Sequence, residues 1–102
     1  MSHVEKGILL TVKPMDFVAR DTGQVFQGCK IFLCRPATDP QFEGWGMHVY
    51  FLRVPGIDGL KMAEDFNKQA NGLYMRSVEI DCELRQMGRS WAPIPNHIRG
   101  AL

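Results

Sequence analysis

A strict alternation of apolar and charged residues over positions 78–85 is the feature that most constrains this chain. The two sets are Val78, Ile80, Cys82 and Leu84 against Glu79, Asp81, Glu83 and Arg85. A period of two places successive side chains on opposite faces of a β-strand. The segment therefore predicts a strand with one face in a core and one in solvent, and the rest of the chain must supply the sheet that it joins.

Further segments carry strand signals, with turn residues between them. The predicted strands are 7–20, 24–35, 47–54, 73–87 and 90–98. Residues 21–24 suit a hairpin turn because Gly23 accepts a positive φ. Pro14 cannot donate to a ladder, and the apolar pattern changes phase after it, so we predict a bulge or an edge there. Gly28 predicts a bulge or a close backbone approach, and two prolines place the fifth strand at an edge.

The third strand and the single helix candidate complete the pattern. Residues 47–54 are nearly all apolar, which predicts a central strand buried on both faces, with Tyr50 and Phe51 in the core. Residues 58–69 present an apolar face at helical spacing, and Phe66 on that face is a further core candidate. Residues 36–46 read as a polar loop.

Five strands with one short helix between the third and the fourth is the layout of an OB-like fold. We therefore predict a mainly β protein: a five-stranded OB-like antiparallel barrel that forms a single domain over residues 1–102. A strongly bent antiparallel sheet that closes by dimerisation is the near alternative.

Charge and cysteine usage narrow the function classes. The net charge is +1, so a phosphate-binding surface would require the 12 Lys and Arg residues to be sorted onto one face. The three cysteines, Cys29, Cys34 and Cys82, form no Cys-x-x-Cys pair and are expected to be buried and reduced. The N-terminal residues show no signal-peptide pattern and no window resembles a membrane span, so we expect a cytoplasmic protein.

The chain has no recognisable catalytic motif, and we expect neither an enzyme nor a cofactor. The carboxylates of Glu79, Asp81 and Glu83 project from one strand face and could form a metal ladder. A solvated face that repels phosphates is the interpretation that we favour.

The second strand combines the two features by which proteins hold single-stranded nucleic acid. Phe26, Lys30 and Phe32 share one face, while Cys29 and Ile31 lie on the other. Aromatic rings stack on bases and cations follow the phosphates. The remaining candidate binding residues are Arg20, Arg53, Arg85, Arg89 and Trp91.

The layout resembles the gene V-type single-stranded DNA-binding proteins of filamentous bacteriophage. The resemblance is carried by residues 12–14, 19–23, 27–33, 71–74 and 87–90. It implies a homodimer that coats single-stranded DNA cooperatively during phage or mobile-element DNA replication.

The resemblance also implies roles for individual residues. Arg20 would grip the backbone, Phe32 would stack on bases beside Lys30, and residues 87–89 would contact DNA and neighbouring subunits. The predicted partner is therefore single-stranded DNA, with RNA as a further candidate. The alternative is a small β-barrel module that binds protein through Trp45 and the proline-rich end.

Overall fold

The computed structural model of the protein describes residues 2–101 and contains five strands and two helices. In chain order the elements are β1 (Ser2–Val18), β2 (Val25–Pro36), α1 (Pro40–Glu43), β3 (Met47–Pro55), α2 (Gly56–Gln69), β4 (Ser77–Met87) and β5 (Ser90–Gly100). The predicted strands and helix are all present, and α1 is an additional four-residue helix within the predicted loop 36–46. The largest differences are that β1 begins at Ser2 and that the predicted start of β4 forms turns.

The five strands form one antiparallel sheet in the order β3-β2-β1-β4-β5. The predicted mainly β class and the helix between the third and fourth strands are confirmed. The sheet is open: within residues 2–101, the edge strands β3 and β5 contact each other but form no ladder. We call the face covered by α2 the inner face and the opposite one the outer face.

The phase change in β1 occurs at Leu10, so the predicted bulge at Pro14 is wrong. The alternative prediction of an edge is confirmed, because within residues 2–101 β4 pairs with β1 only over Ser2–Ile8 and Pro14 has β2 as its one neighbouring strand. Leu9 pairs with Leu33 and Thr11 pairs with Phe32, which leaves Leu10 as the extra residue of a bulge. Leu9 is buried in the core, and the bulge turns the following odd-numbered residues outward. These outer residues are Thr11, Lys13, Met15 and Phe17.

Strand β3 is an edge strand, and the prediction of a central strand is wrong. Leu52 and Val54 are buried in the core, whereas Met47, Val49 and Phe51 are exposed on the other face. The placement of Phe51 in the core is therefore also wrong. The apolar run in β3 reflects a core face and an apolar outer surface, not burial on both sides.

Helix α2 packs on the inner face through Ala63 and Phe66, both of which are buried. Its first turn approaches the sheet backbone at two glycines. A Cβ on Gly59 would overlap the carbonyl oxygen of Val54, and a Cβ on Gly28 would lie 2.6 Å from that oxygen. The predicted close approach at Gly28 is confirmed. Within residues 2–101, neither helix has the length and apolar character needed to cross a membrane.

All three cysteines are buried and carry free thiols, as predicted. Cys29 and Cys82 belong to the core formed between the inner face and α2. Burial raises the pKa of Cys29 and of Cys82 to about 11 in each case, so both thiols are neutral at physiological pH.

Candidate nucleic-acid interface

Three cations form a row across the outer face of β1, β2 and β3. Lys30 pairs directly with Lys13 on one side and with Arg53 on the other. Neighbouring strands lie about 4.8 Å apart, so the row spans about 10 Å. Within residues 2–101, none of the three side chains forms an ion pair.

This arrangement is unfavourable for the isolated protein, because like charges directly opposite each other destabilise a sheet. Several other cations of the chain are paired: Arg35 with Glu43, Lys68 with Glu64, Arg85 with Glu83, and Arg99 with Asp81 and Glu79. The row is therefore a concentration of positive charge that the described residues do not neutralise. A polyanion lying across it would supply the missing partners.

Phenylalanine pairs lie on both sides of the cation row. On one side, Phe32 and Phe51 are cross-strand partners with ring centroids 5.7 Å apart and ring planes tilted by 48°. On the other side, Phe17 and Phe26 are stacked at 5.0 Å with ring planes 18° apart. Aromatic and basic residues thus alternate along the outer face, as in surfaces that hold single-stranded nucleic acid.

Each pair has one ring that is well exposed and one that is less so. Phe17 is 50% exposed and Phe51 is 48% exposed, while Phe26 and Phe32 are half-buried beside them. The structure thus offers Phe17 and Phe51 as contact rings, with Phe26 and Phe32 as their supports. Neither contact ring was among the binding residues predicted from the sequence. Had the bulge been predicted at Leu10, the alternation of β1 would have placed Phe17 on this face.

A shallow pocket of about 240 Å³ lies between the cation row and the Phe17–Phe26 pair. We call it the Gly28 pocket; its walls include Met15, Phe17, Phe26, Gly28, Lys30 and Arg53. Gly28 lines it between its cross-strand neighbours Met15 and Pro55. An apolar ring wall opposite a cationic wall suits a flat, polar aromatic group such as a nucleobase.

Four of the candidate residues, Phe26, Lys30, Phe32 and Arg53, share the outer face described above. Arg20 is exposed in the turn between β1 and β2, beyond the Phe17–Phe26 pair. The other three candidates, Arg85, Arg89 and Trp91, belong to the hairpin of β4 and β5 instead.

The β4–β5 hairpin presents a separate exposed surface. Trp91 is exposed opposite Gln86, and Arg85 pairs with Glu83 at 3.8 Å. Arg85 also lines a cleft with Pro55 at the end of β3. The phenylalanine pairs and the cation row consist of residues of β1, β2 and β3, and this hairpin contributes none of them.

The acidic residues of β4 are neutralised locally. The guanidinium group of Arg99 forms ion pairs with Asp81 and with Glu79, the latter at 3.6 Å. Within residues 2–101, no cluster of three or more His, Cys, Asp or Glu side chains has the arrangement of a metal site. Within the described residues, these acids form no ion pair with a member of the cation row.

The loop between β2 and β3 exposes two more aromatic residues. Phe42 is 84% exposed and Trp45 is 90% exposed. The Glu43 carboxylate accepts hydrogen bonds from the backbone amide of Thr38 at 2.8 Å and from the guanidinium of Arg35 at 2.6 Å. These two donors lower the pKa of Glu43 to about 2. The loop is therefore held from within rather than by burial of its aromatic rings.

The outer face of β1–β3 thus combines unpaired cations, exposed rings and a pocket between them. Comparison of the chain with protein families, curated proteins and solved structures found no match.

Proposed function

We propose that this protein binds single-stranded nucleic acid, in the first place DNA, on the outer face of β1–β3. The observation that carries the proposal is the row Lys13–Lys30–Arg53, which has no acidic partner within residues 2–101. Phosphates would relieve the repulsion within the row, and their binding would release counterions.

The phenylalanine rings favour a single strand over a duplex. Phe17 and Phe51 each expose about half of their surface beside a supporting ring. Bases within a duplex already stack on one another, whereas unpaired bases can stack on protein rings. The sheet offers these rings on an open surface, which suits binding that tolerates different sequences.

The topology supports an OB-like fold for the same function. The strand order β3-β2-β1-β4-β5, the helix before β4 and the contact between β3 and β5 are the arrangement expected of a partly open barrel of this type. OB-like proteins bind oligonucleotides on the face that includes their second and third strands. We further propose the gene V-type role in phage or mobile-element DNA replication, with a homodimer as the binding unit.

The proposal is tested by fluorescence anisotropy of a labelled oligothymidylate at two or more salt concentrations. We expect saturable binding by the wild-type protein that weakens as salt increases. Lys30→Ala and Arg53→Ala should each weaken binding and reduce the salt slope by about one. Lys61→Ala is the matched control, because Lys61 is exposed on α2, which covers the inner face. A wild-type titration without binding at low salt would reject the proposal.

The exposed loop of Phe42 and Trp45 favours a second candidate function, protein binding. A preorganised loop that exposes two large aromatic rings can serve as an anchor in a protein interface. If the protein has this function, its affinity for the partner should depend little on salt, and Trp45→Ala should abolish partner binding. The nucleic-acid proposal instead predicts that Trp45→Ala leaves oligonucleotide affinity within about twofold of wild type.

A further inference from the structure

The two contact rings lie at different distances from the cation row. Along β2, Phe32 follows Lys30 by two residues and Phe26 precedes it by four. At about 3.4 Å per residue these separations are about 7 Å and about 14 Å. The Gly28 pocket occupies the wider gap, whereas Phe51 borders the row closely enough for the Lys30 ammonium to lie 4.4 Å from its ring centroid.

We infer that the outer face contains two separate base-binding sites joined by one phosphate-binding site. The first site is the exposed ring of Phe51. The second is the Gly28 pocket, in which a base would stack on Phe17. The sugar–phosphate segment between the two bases lies on Lys13, Lys30 and Arg53. This inference rests on the proposed function and adds to it the path of the strand along β2.

The chemistry of the two sites supports this division. Phe51 is open to solvent on an edge strand, so a base can reach it from several directions. The Gly28 pocket has an aromatic wall at Phe17 and a cationic wall at Lys30 and Arg53. A thymine in the pocket would place its ring edge, with its carbonyl oxygens, towards these cations. The nucleotides between the two sites would be held through their phosphates alone, because the cation row consists of Lys13, Lys30 and Arg53 and offers no ring on which a base could stack.

The separation sets the length of strand that occupies both sites. Phe26 and Phe32 are six residues apart on β2, which is about 20 Å. A helically stacked strand advances about 3.4 Å per nucleotide, so about six nucleotides cover this distance, and a more extended strand needs fewer. Affinity should therefore increase with oligonucleotide length and level off at or below about six nucleotides per subunit.

The test measures anisotropy with oligothymidylates of two to eight nucleotides and then scans abasic positions through the shortest one that reaches full affinity. We expect two sensitive positions, each losing about 5- to 100-fold in affinity, separated by positions at which an abasic nucleotide has little effect. The scan uses the wild-type protein, so its outcome does not depend on whether a variant folds.

Two variants then assign the sensitive positions. In Phe51→Ala, an abasic nucleotide at one of the two sensitive positions should no longer reduce affinity, while the other position stays sensitive. In Phe17→Ala, the position that stayed sensitive in Phe51→Ala should be the one that becomes insensitive. Far-UV circular dichroism verifies that each variant is folded. Equal sensitivity at every position, or one contiguous block that both variants affect alike, would overturn the inference. Absence of any wild-type binding would instead reject the proposed function, so the two failures are distinguishable.

Discussion

The ammonium group of Lys30 lies 4.4 Å from the centroid of the Phe51 ring. A cation over a ring face is attracted by about 0.5–1 kcal/mol at an exposed site. A base that stacks on this face of Phe51 displaces Lys30 from the ring. A phosphate on the cation row would then become its new partner. Lys30 thereby links base stacking to phosphate binding.

The first prediction is that Lys30 and Phe51 are energetically coupled in binding. Phe51→Ala should cost about 1–3 kcal/mol of binding free energy, through loss of one stacked base. Lys30→Ala should reduce the salt slope, but it also removes the ammonium group that competes with a base for the Phe51 ring. The binding free energy costs of Lys30→Ala and Phe51→Ala should therefore not add in the double variant. Anisotropy titrations of both single variants and the double variant measure the coupling. Lys61→Ala with Phe51→Ala is the control cycle. Additive costs in the Lys30 cycle would contradict the prediction.

The second prediction concerns the contact between α2 and the sheet. Helix propensity alone would make Gly59→Ala stabilising by about 1 kcal/mol. The added Cβ would instead overlap the Val54 carbonyl oxygen, and overpacking of this kind costs about 1–3 kcal/mol or more. Because the obstacle is backbone, we expect the steric cost to exceed the propensity gain and the variant to be less stable.

Urea denaturation measures this difference, with Gly100→Ala as the control. A Cβ at Gly100 would meet the end of the Leu73 side chain at 3.2 Å, which can move aside. Gly100→Ala should therefore change the free energy of unfolding by no more than about 0.5 kcal/mol. A Gly59→Ala variant as stable as wild type would show that the helix start can shift away from β3.

The alternation in β2 was sufficient to separate the residues of its two faces, but it did not predict which face is buried, because both faces carry apolar residues. Cys29 and Ile31 are buried, and Lys30 and Phe32 face outward, because a strand buried on one side must repeat every two residues. The position of β2 between two other strands could not be predicted in this way. Strand order depends on contacts distant in sequence, which local periodicity does not contain.

Two local features account for the missed part of the interface. The apolar run of β3 has the same composition whether both faces are buried or one is an exposed surface, so Phe51 was wrongly placed in the core. In β1, Leu10 ends the apolar run Ile8-Leu9-Leu10, so the sequence does not reveal which residue of that run is the bulge that reverses the alternation. Both errors removed a ring from the predicted interface: Phe51 and Phe17.

The third prediction is that the thiols react only after unfolding. Burial raises the pKa of Cys29 and Cys82 to about 11, so neither forms a thiolate at pH 8. Ellman's reagent should find no fast-reacting thiol in the native protein and three in guanidinium chloride. Cys34→Ala should leave the native result unchanged and reduce the denatured count by one. A fast native phase that persists in this variant would contradict the burial of the other two cysteines.

The last prediction is a pH dependence of stability that originates in the loop between β2 and β3. Hydrogen bonds from the Thr38 amide and from Arg35 hold the pKa of Glu43 at about 2, against an ordinary value of 4.5. A carboxyl whose pKa is lower in the folded state stabilises the fold above pH 4.5, and this contribution disappears as pH falls to about 2. The folded loop thus loses its internal anchor by protonation within that interval.

Urea denaturation of wild type and Glu43→Gln at several pH values isolates this contribution. Glu43→Gln should be less stable than wild type at pH 7, and the difference should shrink as pH decreases from about 5 to about 2. Glu64→Gln is the control, since Glu64 is an exposed carboxylate whose partner Lys68 lies 3.6 Å away on the same helix. Its pH profile should run parallel to that of wild type. If Glu43→Gln ran parallel as well, the Glu43 contacts would not stabilise the loop that carries Trp45.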